Sequence, residues 1–179
     1  MVYDREMGGM RVLLTSPLPR WFLLLARLLA GTGVSLLQVY AFLLCARLYG
    51  IDLPALGNLA VLPALQLTGL MLGALGMLLS ATIRQLENFA GVMNFVIFPM
   101  FFASSALYPL WRIQESSDAL FQICRLNPFT YAVELIRFAL YLEFNPLACM
   151  AVLTALALFF GAAIWAYDPG LALGTPKGM

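Results

Sequence analysis

The sequence predicts an all-α membrane protein: about four transmembrane helices, an N-terminal cytoplasmic amphipathic helix and an outer re-entrant helical hairpin. Three observations carry this. Hydrophobic residues make up 63% of the chain and charged residues 11%, with a mean hydropathy of +0.90, well outside the range of soluble domains. Four apolar runs are each long enough for the roughly 20 residues that cross a hydrocarbon core. Between the third and fourth runs lies a stretch of another kind, Phe98 to Arg137, where apolar sequence is repeatedly broken by proline, serine and asparagine.

Residues 1–20 form a unit of their own. Val12, Leu13 and Leu14 make a compact apolar patch beside Arg5, Glu6 and Arg11, and the Ser16-Pro17-Leu18-Pro19 turn stops any helix. The pattern predicts a short amphipathic cytoplasmic helix leading through a rigid corner into the membrane. Residues 21–179 then form one transmembrane domain. Its first span is expected at 21–46, with Arg27 one to two turns inside, where a long side chain can snorkel back to the headgroups.

The second apolar run, Leu53 to Ile83, is long for one helix. Pro54, Gly57 and Pro63 are expected in an interfacial turn, with the span itself at 59–80. Along it Gly69, Gly73, Gly76 and Ser80 recur at helical spacing, a small-residue stripe against which a neighbouring helix can pack closely. The third span is expected at 88–107 and the fourth at 146–167, the last ending in Trp165 and Tyr167 as an interfacial aromatic belt. With both termini cytoplasmic, Arg5, Arg11, Arg20, Arg27, Arg84 and Lys177 lie inside, against Arg47, Arg112, Arg125 and Arg137 outside, a small bias for that orientation. Gln38, Gln66, Thr68, Asn88 and Asn94 are uncharged polar groups at or near membrane depth, and each needs a partner.

The outer re-entrant segment is expected at 108–137. Pro99, Ser104 and Ser105 loosen the third run, and Tyr108-Pro109 ends it. A short polar cap follows. The chain turns back through Asn127-Pro128-Phe129-Thr130-Tyr131 and closes with Glu134 and Arg137, one helical turn apart. Irregular backbone at membrane depth survives only where protein or a water-lined cavity satisfies it, so this hairpin should border an internal path or a subunit interface. Glu134 and Arg137 admit two roles: a local ion pair worth a few tenths of a kcal/mol, or an anchor for the hairpin.

Several kinds of chemistry are excluded. A net charge of +1 and a pI near 7.7 leave no basic surplus for nucleic acid. There is no histidine, the Asp and Glu residues lie in connecting segments, and Cys45, Cys124 and Cys149 have no metal-like spacing. No activated serine or paired aspartate sits within a span, and no GxxxxGK[ST] phosphate loop is present. No cofactor is expected on the chain, and any energy for moving a solute must come from a partner.

The run Glu6-Met7-Gly8 followed by Leu13-Leu14 and Pro17 resembles the intracellular loop of type 2 ABC-transporter permeases, with its E-x-G-x-x-x-x-L-L-x-x-P pattern. Pro99, Ser104, Ser105, Tyr108 and Pro109, then Asn127, Pro128, Tyr131, Glu134 and Arg137, are similar to that family's outer re-entrant segment. The resemblance implies a permease subunit of an exporter in the cell (inner) membrane. It further implies a separate cytoplasmic ATPase that binds ATP and Mg, and pairing with a second permease subunit, in the simplest case a homodimer. Arg5, Glu6, Gly8, Leu13, Leu14 and Pro17 would couple to the ATPase. Family members usually carry two further spans before this loop, so the chain is expected to be a piece of a longer permease or one half of a split one. The alternative is a membrane assembly or scaffold subunit that transports nothing.

Overall fold

A computed structural model describes residues 20–51, 54, 56–83 and 86–166. The described residues form α1 (Arg20–Leu48), α2 (Gly57–Thr82), α3 (Leu86–Phe102), α4 (Leu110–Ser116), α5 (Asp118–Leu126), α6 (Pro128–Leu140) and α7 (Pro146–Ala166), with no strand among them. The expected amphipathic helix, with Arg5, Glu6, Gly8, Leu13, Leu14 and Pro17, lies outside the described residues.

Helix α2 is the axis of the bundle. Its buried residues Val61, Ala64, Leu65, Thr68, Met71, Ala74, Met77 and Ser80 recur every three or four positions, one stripe of a helix. Ala64 and Met71 pack with Ala132 and Leu135 of α6 and with Ala148, Val152 and Ala155 of α7. Further along, Ala74 and Met77 meet Leu24 and Leu28 of α1 and Ala163 of α7. These pairings make α7 parallel to α2, and α1 and α6 antiparallel to it. Two sequence-poor contacts set the spacing: a Cβ on Gly57 would run into the Leu140 carbonyl, and one on Gly69 would lie 2.6 Å from Thr32 Cγ2.

Three helices, α1, α2 and α7, are long and apolar enough to cross a membrane. The third apolar run differs from its expected course. Helix α3 stops at Phe102, five residues short of the expected end, and its 17 residues rise only about 25 Å. The reason is local: Ser104 Oγ donates to the Phe101 carbonyl and accepts from Ala106 N, so the side chain takes over bonds the helix would have made. Pro63 also differs, since α2 begins at Gly57 and carries Pro63 inside it instead of in a preceding turn. Its missing N–H costs one bond near the helix start, and tertiary packing on both sides holds the helix through it.

Two helices end in the same way with different residues. After α1, Gly50 has φ +83°, and Gly50 N and Ile51 N donate to the Arg47 and Ala46 carbonyls. After α6, Leu142 takes the left-handed position at φ 64°, with Leu142 N and Glu143 N donating to Ala139 and Phe138. The turn into α7 therefore holds a leucine where glycine would be unstrained.

The stripe of small residues on α2 meets two neighbours. Gly69 faces Thr32, Gly73 faces Leu28 Cδ2 at 2.7 Å from a built Cβ, and Gly76 faces Met93 of α3 at 3.8 Å. Thr32 is β-branched and its Oγ1 is tied to the Leu28 carbonyl at 2.7 Å, so it cannot swing aside; the tip of Leu28 can. Gly69→Ala should therefore lower the thermal midpoint of the detergent-solubilised protein, by the roughly 1–3 kcal/mol of an overpacked contact. Gly73→Ala should be neutral or slightly stabilising, since alanine favours a helix by about 0.5–1 kcal/mol over glycine. Equal losses in both variants would show that the two contacts are equally rigid and that this account of α1–α2 packing is wrong.

Candidate functional site

Three helix ends meet here: the end of α3, the end of α5 and the start of α6. Helix α6 spans 13 residues, about 20 Å, from its C-terminal end beside Gly57 to its start at Pro128. Phe129, at that start, lines a cavity of about 100 Å³ with Leu72, Gly76 and Leu79 of α2 and with Met93, Ile97 and Met100 of α3. The junction thus sits well down the length of the bundle. There a bare carbonyl or N–H costs several kcal/mol.

Asn127 answers most of this. It is buried, with 8% of its surface exposed. Its Oδ1 accepts from Phe129 N at 3.0 Å and caps α6, while Pro128 occupies the first helical position, where no N–H is needed. Its Nδ2 donates to the Met100 and Ala103 carbonyls, both at 2.7 Å, and so closes the end of α3. The remaining groups are met by neighbours. Thr130 Oγ1 donates to the Cys124 carbonyl at the end of α5, at 2.7 Å. Ser105 Oγ donates to the Thr130 carbonyl at 3.3 Å, and Arg137 Nη2 donates to the Ser105 carbonyl at 3.0 Å. Phe101 and Phe129 meet edge to face, with centroids 6.1 Å apart, across the same joint.

The sequence-predicted residues of this segment divide accordingly. Ser104, Ser105, Asn127 and Pro128 come together in the joint, with Arg137 reaching it from two turns along α6. Tyr131 is half-buried against the α2–α6–α7 core. Pro99 lies inside the last turns of α3, and its carbonyl accepts from Ala103 N. Tyr108 is exposed, and Pro109 is the cap residue of α4, so these two end the loop without entering the joint. Glu134 and Arg137 each have a contact that bears on the two roles: Arg137 donates to the Ser105 carbonyl, and its charge acts on the Glu134 carboxyl. Glu134 is half-buried in α6, outside the three long spans; burial raises its carboxyl above the usual range and the charge of Arg137 draws it back. Gly69, Gly73 and Ser80 lie on α2 along the groove beside α1, while Gly76 faces Met93 of α3 and shares the cavity at Phe129.

Sequence reading missed the receivers, because backbone carbonyls at Met100, Ala103 and Cys124 carry no residue signature. It also missed Asn145, whose Oδ1 accepts from Ala148 N at 3.1 Å and caps α7 ahead of Pro146. A signal existed: Asn145-Pro146 repeats Asn127-Pro128, and both pairs read as a cap followed by a proline at the first helical position.

A third apolar helix that stops early, two short helices and the 13-residue α6 lead in unbroken order to the last long helix. The family model described as ABC-2 type transporter matches residues 1–141. The chain belongs to the ABC-2 type transporter family. Transport permease ycf38 of Porphyra purpurea is 32% identical over 141 residues, covering 77% of this chain and 47% of that protein. Its namesake in Cyanophora paradoxa is 31% identical over 142 residues, with the same two shares. Nodulation protein J of Rhizobium leguminosarum bv. viciae is 31% identical over 109 residues, 61% of this chain and 38% of that protein. The chain spans about half the length of the first-named permeases it matches. No solved structure matches it significantly. The whole re-entrant joint, from Pro99 to Arg137, falls within the ABC-2 match.

Asn127→Ala removes the α6 cap and strands two carbonyls, which together should cost on the order of 2–5 kcal/mol. Asn127→Asp keeps the cap acceptor and loses both donors, so it should recover only the cap, about 1 kcal/mol. Thermal unfolding in detergent followed by circular dichroism ranks the three proteins. If Asp proves as stable as Asn, the donors to Met100 and Ala103 do not hold the joint.

Proposed function

We propose that this chain is the membrane-spanning permease subunit of an ATP-driven exporter, or a part of one. A separate cytoplasmic ATPase binds ATP and Mg and drives it, and it works as a dimer with a second permease subunit. The observation that carries the reading is the re-entrant joint at Asn127. A chain spends an asparagine, two serines, a threonine and an arginine on holding broken helices inside an apolar bundle where a continuous helix would be cheaper. In membrane proteins such breaks are placed where a helix end borders a path or a moving interface. Membership in the ABC-2 type transporter family and similarity to proteins named as transport permeases support the same reading.

In this account Arg5, Glu6, Gly8, Leu13, Leu14 and Pro17 dock on the ATPase from the cytoplasmic side of the cell (inner) membrane, and their motion reaches the spans through α1. Glu134 and Arg137 steady the outer hairpin. The chain itself contributes no catalytic group and no phosphate loop.

Affinity purification of the full-length permease, co-expressed with an ATPase bearing a phosphate loop, tests this directly. The ATPase should be retained, and Glu6→Ala or the paired Leu13→Ala, Leu14→Ala change should weaken retention about tenfold, roughly 1.4 kcal/mol. Reconstituted vesicles should then show flux only with ATP. Failure of the unaltered permease to retain any such ATPase would overturn the reading, and retention without flux would favour an assembly subunit.

A further inference from the structure

Helix α3 lies on α2 more lightly than α1, α6 or α7 do. Its contact runs through Met93, which meets Gly76, and through Ile97 and Met100, which line the cavity of about 100 Å³ beside Phe129. The other side of the helix is apolar and open. Phe95, Phe98 and Phe102 are exposed there, and Phe98 stacks on Phe102 with ring centroids 6.3 Å apart.

Asn94 stands on the same open side. It is the ninth of the 17 residues of α3, it is exposed, and its amide has no hydrogen-bond partner among the described residues. Its neighbour Met93 meets Gly76, six residues or about 9 Å inside the end of α2 at Thr82, so the amide lies at membrane depth. A stem of one methylene is too short to carry it to the headgroups, as the long stem of a lysine or arginine would. Two N–H donors and a carbonyl are expensive to leave in hydrocarbon, and a polar group on a membrane helix is ordinarily met by another helix. Gly91 and Phe98 share its face, three residues before and four after. A Cβ built on Gly91 meets nothing within 4 Å, so the seam holds a gap, a hydrogen-bonding group and an aromatic ring in order.

Symmetry selects the occupant. Copies of one chain inserted the same way up carry Asn94 at the same depth, and a two-fold axis along the membrane normal sets the two helices side by side and parallel. An asparagine amide is both donor and acceptor, so each copy supplies what the other lacks. Gly91 lets the two backbones approach closely enough for so short a side chain to reach.

We infer that α3 docks on α3 of a second copy of this chain, with the two Asn94 amides hydrogen-bonded to each other and Gly91 and Phe98 packed beside them. This names the surface for the dimer proposed above; it rests on that pairing and is independent of the ATPase. Gln38, exposed on α1, a helix already packed on α2, serves as the comparison.

The full chain, labelled in separate batches with a donor or an acceptor fluorophore at its carboxyl terminus, is reconstituted in phosphatidylcholine vesicles, and energy transfer is followed as lipid dilutes it. Asn94→Leu should weaken association about fivefold, the equivalent of roughly 1 kcal/mol for a hydrogen bond between membrane helices. Asn94→Gln keeps donor and acceptor and should restore most of it. Gly91→Leu enters open space within its own chain and should weaken association at least as much, by holding the helices apart. Gln38→Leu should change nothing. In cell membranes, oxidation by copper phenanthroline should link Gly91→Cys or Phe98→Cys chains into a disulfide dimer above the level of the unaltered chain with its own three cysteines, and Leu158→Cys, exposed on α7, should not. Association that survives both Asn94→Leu and Gly91→Leu, or that falls with Gln38→Leu instead, would overturn this surface and leave the dimer standing. No energy transfer from the unaltered chain would overturn both. Disulfides from Gly91→Cys to a different polypeptide would give the face to another span and overturn the proposal.

Discussion

One side-chain amide holds the segment from α3 to α6 together. Asn127 meets three backbone groups at once: it accepts from the first turn of α6 and donates to two carbonyls at the end of α3. No other side chain of its size can do this. Aspartate has the acceptor without the donors, serine has one proton for two carbonyls, and glutamine carries the same amide one methylene too far for the cap. The partners also settle which way the amide is turned, because the reverse orientation would put an oxygen against two carbonyl oxygens. In an apolar bundle the alternatives to this residue are open polar groups, and each of those is expensive.

From that constraint the rest of the outer segment follows. Helix α3 can stop early because its last carbonyls have donors waiting. Helices α4 and α5 then form a cap outside the bundle, and α5 is closed by Thr130 in the same way that α3 is closed by Asn127. Arg137 adds the only charged hydrogen bond described in the joint, and it reaches Ser105 across 32 residues of sequence. A bond to a charged donor is stronger than a neutral one, and an arginine two turns up α6 ties the outer reach of the helix to the loop below it. The hairpin is therefore cross-braced, joined by hydrogen bonds within itself and by apolar packing of α6 to the α2–α7 core.

The sequence made the membrane class and the long helices legible, because both rest on composition and run length. The breaks were legible too: Pro99, Ser104, Ser105 and Asn127-Pro128 are residue types that end helices or start them. Less visible was how the breaks are repaired. That work is done by carbonyls of Met100, Ala103 and Cys124, whose side chains have nothing to do with it. The early stop of α3 was hidden for a related reason: Leu107 continues the apolar run, and only the competition of Ser104 for the Phe101 carbonyl ends the helix before it. Pro63 misled in the opposite direction, since a proline near the start of a helix costs little once both flanking turns are packed. Thr68 could be flagged as polar and in need of a partner, but no sequence pattern could tell that its hydroxyl would be left open.

The two sides of α2 are built to different standards, and this decides what can move against what. Toward α6 and α7 it presents Ala64 and Met71 to Ala132, Leu135, Ala148 and Val152, a close-packed surface in which a shift of one residue would open voids along its whole length. Toward α1 it presents Gly69 and Gly73, pressed against Thr32 and Leu28, then Ala74 and Met77 against Leu24 and Leu28, with an open groove alongside. A contact carried by Leu24, Leu28, Thr32 and the Tyr40 hydroxyl, with a groove beside them, has fewer interactions to lose when it slides than one carried by interlocked rows. The α2–α6–α7 block carries the braced hairpin through α6. Along α2, Gly69, Gly73 and Gly76 mark the division between the looser α1 seam and the close-packed α2–α6–α7 block.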